Sequence, residues 1–493
     1  KGEWGFDGAV ISDWGGVHDT DQAIRNGMDL EMGSWTNGLT SGLSNAYDNY
    51  YLAYPYLRLI KEGKVGTDEL DDKVRRVLRT MFRTSMNPDG GYGSMLTPGH
   101  YATARRIGAE SIVLLKNDGG ILPLDPAAGK KILVVGENAI KMQTIGGGSS
   151  QLKVQREVSP LDGIRAAAGT NTVTYARGYK SEVLPPQDGM TPPQDITDNR
   201  SEAELAAEAV RMAADADVVI FVGGLNKNPG QDCEDADRTT LSLPYGQDSL
   251  IAEIARVNPN VVMVNVSGNA VAMPWLKEVP AVMQAWYLGS EAGNSMADVL
   301  FGAVNPSGKL PFTFPARLED TPAAFYGEKA YPGIKREDEK IFDIDYTEGL
   351  LVGYRWYDTR KIRPLFPFGH GLSYTTFAYG PLKASAKEMS ADGTITLTLP
   401  VTNTGSRSGA ETVQLYISDR KASVARPAKE LKGFSKVTLA PGETKDVTFT
   451  VDASALSFYD PATSSWVAEP GAFTATAAPS SGAKGQSVTF TLR

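Results

Sequence analysis

Residues 202–224 read EAELAAEAVRMAADADVVIFVGG. The Ala-rich stretch 202–215 predicts a helix. The uniformly apolar run Val218-Val-Ile-Phe-Val222 behind it predicts a strand buried on both faces. The alternation continues outward in both directions. ILVV at 132–135, VVMV at 261–264 and AVMQA at 281–285 read as further strands, and 247–257 and 292–301 as helices. Strands alternating with helices predict an α/β domain with a largely parallel sheet.

Upstream, AVIS at 9–12 reads as a buried strand with Asp13 at its C-terminal end, and MDLEM at 28–32 as a second short strand. A helix over 20–26 could end at Gly27. Longer helical stretches cover 43–60 and 67–86. The second carries Leu70, Val74, Val77, Leu78 and Met81 at helical spacing, with TDEL at 67–70 as its N-cap. The breaker cluster NPDGG at 87–91 marks a linker. Residues 316–376 are aromatic, charged and irregular, a segment that wraps over its neighbours. Beyond them ITLTL at 395–399, ETVQLY at 411–416 and KDVTFTV at 445–451 alternate as strands, with turns such as APG at 440–442 between such runs. These features predict five regions: 1–86, a linker at 87–101, an α/β region at 102–315, a connecting segment at 316–376 and a β-sandwich at 377–493.

At roughly 100–200 residues per domain, 493 residues suit about three domains, and a 41% hydrophobic content supplies more than one core. Lys plus Arg is 49 against 58 Asp plus Glu, a formal charge of −9. Such a chain has no general attraction for phosphate backbones or anionic lipid, so neither nucleic acid nor a membrane is an expected partner. The single cysteine, Cys233, excludes an internal disulfide and Cys-rich zinc sites, and His18, His100 and His370 leave little for a histidine-ligated metal. No apolar run reaches the ~20 residues of a membrane helix.

Three places could carry chemistry. Asp13, at a strand C-terminus, has the position that catalytic groups take in α/β barrels, and Trp14 offers a flat apolar face for a sugar. A capping Asp13 beside a core Trp14 explains the same pattern. The loop GQDCEDADR at 230–238 carries Asp232, Glu234, Asp235 and Asp237. A solvated acidic loop or an oxygen-rich cation cluster has the same composition, but the spacing does not match an EF-hand. GGGSS at 146–150 lacks the Gly-Lys-Ser/Thr ending of a phosphate loop and the dinucleotide fingerprint. It reads instead as a tight loop approaching a ligand or another domain. No Gly-x-Ser-x-Gly elbow supports a serine hydrolase.

Taken together, these segments resemble glycoside hydrolase family 3. GAVISDW at 8–14, with His18 and GMDLEM at 27–32, is similar to that family's nucleophile segment. ESIVLLKN at 110–117 and LPL at 122–124 resemble the start of its second domain. GGLN at 223–226, EDADR at 234–238 and the Leu-Pro at 243–244 resemble its acid/base loop. NPSGKLP at 305–311, EGLLVGYR at 348–355 and FPFGHGLSY at 366–374 match later signatures, and RPAKELKGF at 426–434 resembles its fibronectin type III-like domain.

The resemblance implies a partial (β/α)8 barrel, an α/β sandwich and a fibronectin type III-like β-sandwich. It implies a retaining, exo-acting β-glycoside hydrolase that releases glucose from the nonreducing end of β-glucosides or oligosaccharides. Trp14 points to the β-glucosidase side of the family. The same chemistry on β-xylosides or other glycosides, or sugar binding without catalysis, are the alternatives. Residue by residue, Asp13 matches the nucleophile, Trp14 a substrate-binding neighbour and Glu234 the acid/base, with Asp232 and Asp235 as competitors for that place. Asp237 and Arg238 match a structural pair, and Ser149 a loop that reaches toward the sugar. Glu234 is expected to hold a raised pKa, and no metal or organic cofactor is implied. Asp13 corresponds to about the seventh barrel strand, so the resemblance further implies a missing N-terminal barrel segment as a partner, needed for folding and activity. A periplasmic or secreted location is the family's usual one, and the oligomeric state stays open, a homodimer included.

Overall fold

The computed structural model describes residues 1–32, 50–182, 194–234, 236–336 and 342–493. They form two compact units, Lys1–Met95 and Leu96–Arg493.

In the first unit, α1 (Thr20–Arg25) is capped by the Asp19 carboxylate, which accepts from the Gln22 N–H at 2.8 Å, and Gly27 ends it at φ +85°. α2 covers Tyr54–Lys61 and α3 covers Asp68–Arg83. Residues 43–49 of the expected helix over 43–60 lie outside the described residues. The expected buried strands at 9–12 and 28–32 are reduced to one parallel bridge, Ile11 to Leu30, and Ile11 is 56% exposed. A parallel strand gains its burial from neighbours on both edges, and among the described residues these two segments pair only with each other.

Lys73 on α3 is buried and donates to the carbonyls of Ala23 and Ile24 at the end of α1. Arg76 donates to the carbonyls of Phe6 and Gly8, both at 3.0 Å, and Arg83 pairs with Asp7 at 2.8 Å. The polar side of α3 therefore clasps the start of the chain, and its apolar stripe of Leu70, Val74, Leu78 and Met81 is exposed. Thr67 precedes α3, but its side chain makes no capping bond; Asp68, Glu69 and Asp71 complement the helix dipole instead.

The second unit starts with α4 (Pro98–Ser111) and β1 (Val113–Asn117). Then follow β2 (Lys131–Val135), α5 (Pro160–Ala167), β3 (Thr172–Ala176), α6 (Glu202–Ala214), β4 (Val218–Gly224), α7 (Gln247–Val257), β5 (Val261–Val266), β6 (Ala281–Gln284) and α8 (Ala292–Leu300). The six strands make one sheet in the order β1-β6-β5-β4-β2-β3, parallel except for β1 against β6. The α/β expectation holds; β1 and β3 are the strands that the alternation left unread.

Successive residues of the central strands bury on opposite faces. Val219, Phe221, Val261 and Met263 pack with Ala209, Ala213, Leu250 and Ile254 of α6 and α7. Val218, Ile220, Val262 and Val264 pack with Ala109, Ile164, Met296 and Val299 of α4, α5 and α8. At about 1.5–3 kcal/mol for each such side chain buried, a strand in the middle layer keeps no polar face. α5 and α8 touch backbone to backbone, since a Cβ on Gly163 would lie 2.1 Å from the Gly293 carbonyl oxygen.

From β2 the chain moves to β3 on one side, and from β4 to β5 on the other. The C-terminal ends of β2 and β4 thus flank the topological switch point, where open α/β sheets leave a crevice for ligand.

After α8, a segment with α9 (Pro322–Tyr326), the small ladder β7 (Ile334–Lys335) to β8 (Phe342–Asp343), and α10 (Tyr354–Arg360) wraps the domain. It is pinned by bridges from Phe314 to Phe366 and from Leu114 to Leu372, and by His370, whose ring nitrogen lies 2.9 Å from the Leu115 carbonyl.

The last part contains β9 (Phe377–Tyr379), β10 (Lys383–Ala384), β11 (Glu388–Met389), β12 (Thr394–Asn403), β13 (Gly409–Asp419), β14 (Glu430–Leu439), β15 (Thr444–Asp452), β16 (Phe458–Asp460), β17 (Ser465–Val467), β18 (Gly471–Ala478) and β19 (Gln486–Leu492). One sheet runs β11-β19-β18-β13-β14; β9, β10, β12 and β15 form the other; β16 and β17 pair as a hairpin. Ile395, Leu397, Leu399 and Val401 of β12 alternate inward toward Val413, Leu415 and Phe473.

Candidate active site

A cavity of about 750 Å³ lies at the switch point, between the loops that follow β2 and β4. From the β2 side comes the loop at 146–150. Glu157 holds its approach, accepting from the N–H groups of Gln143 and Thr144 at 2.7 and 3.2 Å and from the Thr144 hydroxyl. Gly146, Gly147 and Gly148 all have left-handed φ, +87°, +84° and +74°. A Cβ on Gly148 would fall 2.7 Å from Glu234 Oε2. The glycines therefore let backbone reach a carboxylate on the other loop.

That carboxylate is Glu234. Its Oε2 accepts from the Ser149 N–H at 2.7 Å and from the Ser149 hydroxyl at 2.5 Å, and its own N–H donates to the Gly147 carbonyl at 3.4 Å. Glu234 is exposed to the cavity. The Ser149 hydroxyl, and then its N–H, hold the Glu234 pKa below the usual glutamate value. The expected raised pKa is thus corrected for the open site: donors aimed at the charged form outweigh desolvation that is hardly present.

Asp232, two positions earlier, has different surroundings. Its carboxylate accepts from the Asn269 side chain at 2.6 Å, the Gly268 N–H at 2.7 Å and the Tyr287 hydroxyl at 2.8 Å. Burial, then the Asp232 charge, push the Tyr287 pKa far up, so Tyr287 stays a donor. Lys227 lines the same cavity over the Tyr287 ring, and burial lowers its pKa. Asp235 lies outside the described residues. The expected Asp237–Arg238 pair is corrected: Asp237 accepts from the Tyr331 hydroxyl, and Arg238 donates to the Ala270 carbonyl at 2.7 Å.

Asp13 and Trp14 lie in the first unit, just past the Ile11 bridge. One Asp13 carboxylate oxygen accepts from the Trp14 N–H at 2.7 Å, and Trp14 is 71% exposed, so the core reading of Trp14 does not hold within the described residues.

The structure brings Ser149 and Glu234 together. It adds Asp232, Gly268, Asn269, Tyr287 and Lys227, which the sequence reading left aside or treated as competitors. Their signal was positional: Gly268 and Asn269 follow β5 and Tyr287 follows β6, all at strand C-termini. Among the described residues, no group of three or more His, Cys, Asp or Glu side chains could hold a metal ion, and no helix is long and apolar enough to cross a membrane.

A carboxyl group held by two donors at the edge of an open cavity can exchange a proton with a bound hydroxylated ligand, as sugar-cleaving enzymes require. Comparison with known proteins agrees. Residues 112–374 match the glycosyl hydrolase family 3 C-terminal domain, and residues 411–481 a fibronectin type III-like domain. The chain belongs to glycoside hydrolase family 3. It is 51% identical to a β-glucosidase of Bacteroides ovatus over 99% of its own length and 65% of that protein's. It is 38% identical to a thermostable β-glucosidase of Acetivibrio thermocellus, over 96% of this chain and 57% of the other. It therefore spans less than two thirds of either relative. Among solved structures, a β-glucosidase of Streptomyces venezuelae in complex with D-glucose superposes with a TM-score of 0.85 at 29% identity, covering 100% of this chain and 73% of that one.

Proposed function

We propose that the protein carrying this chain is a retaining, exo-acting β-glucosidase, with Asp13 as nucleophile and Glu234 as acid/base. Asp13 attacks the anomeric carbon while Glu234 protonates the departing glycosidic oxygen, giving a covalent glycosyl-enzyme. Glu234 then takes a proton from water, whose oxygen attacks the same carbon and releases glucose with its configuration retained. The chemistry requires the two carboxyl groups about 5–5.5 Å apart. It also requires Glu234 to carry a proton at the first step; substrate that displaces water from the cavity favours the neutral form, against the two Ser149 bonds. Trp14 supplies a face for the sugar ring.

The observation that carries this reading is Glu234 itself, at the switch-point cavity of a family 3 domain and oriented by Ser149. The names of its relatives support glucose as the sugar released. We read 1–86 as the C-terminal part of a (β/α)8 barrel, 87–101 as a linker, 102–315 as the α/β domain, 316–376 as the connecting segment and 377–493 as the β-sandwich. The rest of the barrel is then the partner that covers the apolar stripe of α3. The location fits the periplasm or the outside of the cell, where oligosaccharides are cut.

In the intact protein, Asp13→Ala should abolish turnover of an aryl β-glucoside. Glu234→Ala should keep part of its activity on an activated aryl glucoside and regain more with azide, which needs no general base. Full activity of either variant, or no azide response, defeats the assignment.

A further inference from the structure

The loop that carries Glu234 is tied down by Asp232. Asp232 connects three strand ends: its N–H donates to the Asn226 carbonyl after β4 at 3.0 Å, and its carboxylate takes the Gly268 N–H and Asn269 side chain after β5 and the Tyr287 hydroxyl after β6. Those three donors, at 2.6–2.8 Å, come from segments rooted in the rigid sheet. Three donors on one carboxylate fix where it stands. Glu234, two residues on, is exposed and its carboxylate is held by Ser149 alone among the described residues.

We propose that Asp232 is a positioning residue that sets where the Glu234 carboxyl stands. On one flank Ser149 orients that carboxyl, and on the other Asp232 anchors the backbone from which it projects. Without the anchor the loop can shift, and a displacement of about 1 Å costs an acid much of its effect. This inference rests on the assignment of Glu234 as acid/base. Within the loop, Asp232 spends its carboxylate on Gly268, Asn269 and Tyr287, and Glu234 is the more exposed of the two.

The test measures kcat/KM of the intact protein on two aryl β-glucosides. One has a 2,4-dinitrophenyl leaving group that needs no acid, and the other a poor 4-methoxyphenyl leaving group that does. Asp232→Asn should lower kcat/KM for the methoxyphenyl glucoside by about tenfold or more and leave the dinitrophenyl glucoside within about threefold, since a placed acid contributes roughly 10²–10⁴. Tyr287→Phe removes one donor and should show the same split more weakly; it decides the matter if Asp232→Asn does not fold. Equal losses on both substrates, or no loss on either, overturn the proposal. Glu234→Gln is the reference. If it shows no split, the acid/base assignment has failed; if it does and the Asp232 and Tyr287 variants do not, only the positioning role has failed.

Discussion

Ser149 places two donors, its backbone N–H at 2.7 Å and its hydroxyl at 2.5 Å, on the same oxygen of Glu234, across 85 positions of sequence. A loop from β2 thereby grips a side chain from the loop after β4, and the charge state of Glu234 depends on that grip.

Ser149→Ala removes the donor with the largest influence on the Glu234 pKa. The charged form loses support, so the pKa moves up. The basic limb of the pH dependence of kcat/KM, which reports loss of the acid's proton in free enzyme, should move to higher pH. An unmoved limb, or one moved to lower pH, contradicts the assigned partnership.

Gly148→Ala should act through the same side chain. The new methyl would sit 2.7 Å from Glu234 Oε2 and 2.8 Å from Glu234 Cβ, on a backbone at φ +74°. Strain of this kind costs about 1–3 kcal/mol, and the cheapest relief is to push Glu234 aside. We expect a loss of at least tenfold on glucosides with poor leaving groups and a small change in the urea midpoint. Wild-type activity would show that Glu234 tolerates displacement.

Arg177 and Glu137 form a buried pair at 2.7 Å, and Glu137 also accepts from the Ser181 N–H at 2.8 Å and from the Ser181 hydroxyl. Glu137 is 0% exposed. Arg177→Ala leaves that carboxylate only its Ser181 bonds and Lys141 at 3.6 Å and should destabilise the α/β domain by about 1.5–3 kcal/mol, measured by denaturant unfolding. A loss below about 1 kcal/mol would mean that water reaches Glu137.

Leu78, on the exposed stripe of α3, tests the barrel reading. Covered by further barrel elements in the intact protein, Leu78→Ala should cost about 2–5 kcal/mol. Left in solvent, it should change stability by less than about 0.5 kcal/mol, and that outcome removes the barrel as its cover.

The legible parts of the fold were those where a segment carries its own pattern. The apolar runs of β2, β4, β5 and β6 and the helices α6, α7 and α8 stood out because each fills a middle or outer layer along its whole length. β3 was missed: its burial pattern is broken by exposed Thr172 and Thr174, as suits a sheet edge. Segments 9–12 and 28–32 form a single parallel bridge among the described residues, because an apolar run states what a segment can bury, whereas its neighbours decide whether it does.

By itself the sequence determined β2, β4, β5, β6, α6, α7 and α8 in the α/β layers and the runs of β12, β13 and β15 in the β-sandwich, and it singled out Glu234 and Ser149 as residues worth placing. Local spacing of apolar side chains carries that information, since a helix or strand repeats within a few residues. Only the tertiary structure decided that Ser149 meets Glu234, that Asp232 is spent on three donors, and that Asp237 and Arg238 part company. Those contacts join loops far apart in the chain, and strand order, set by the packing of the whole sheet, determines which loops stand side by side.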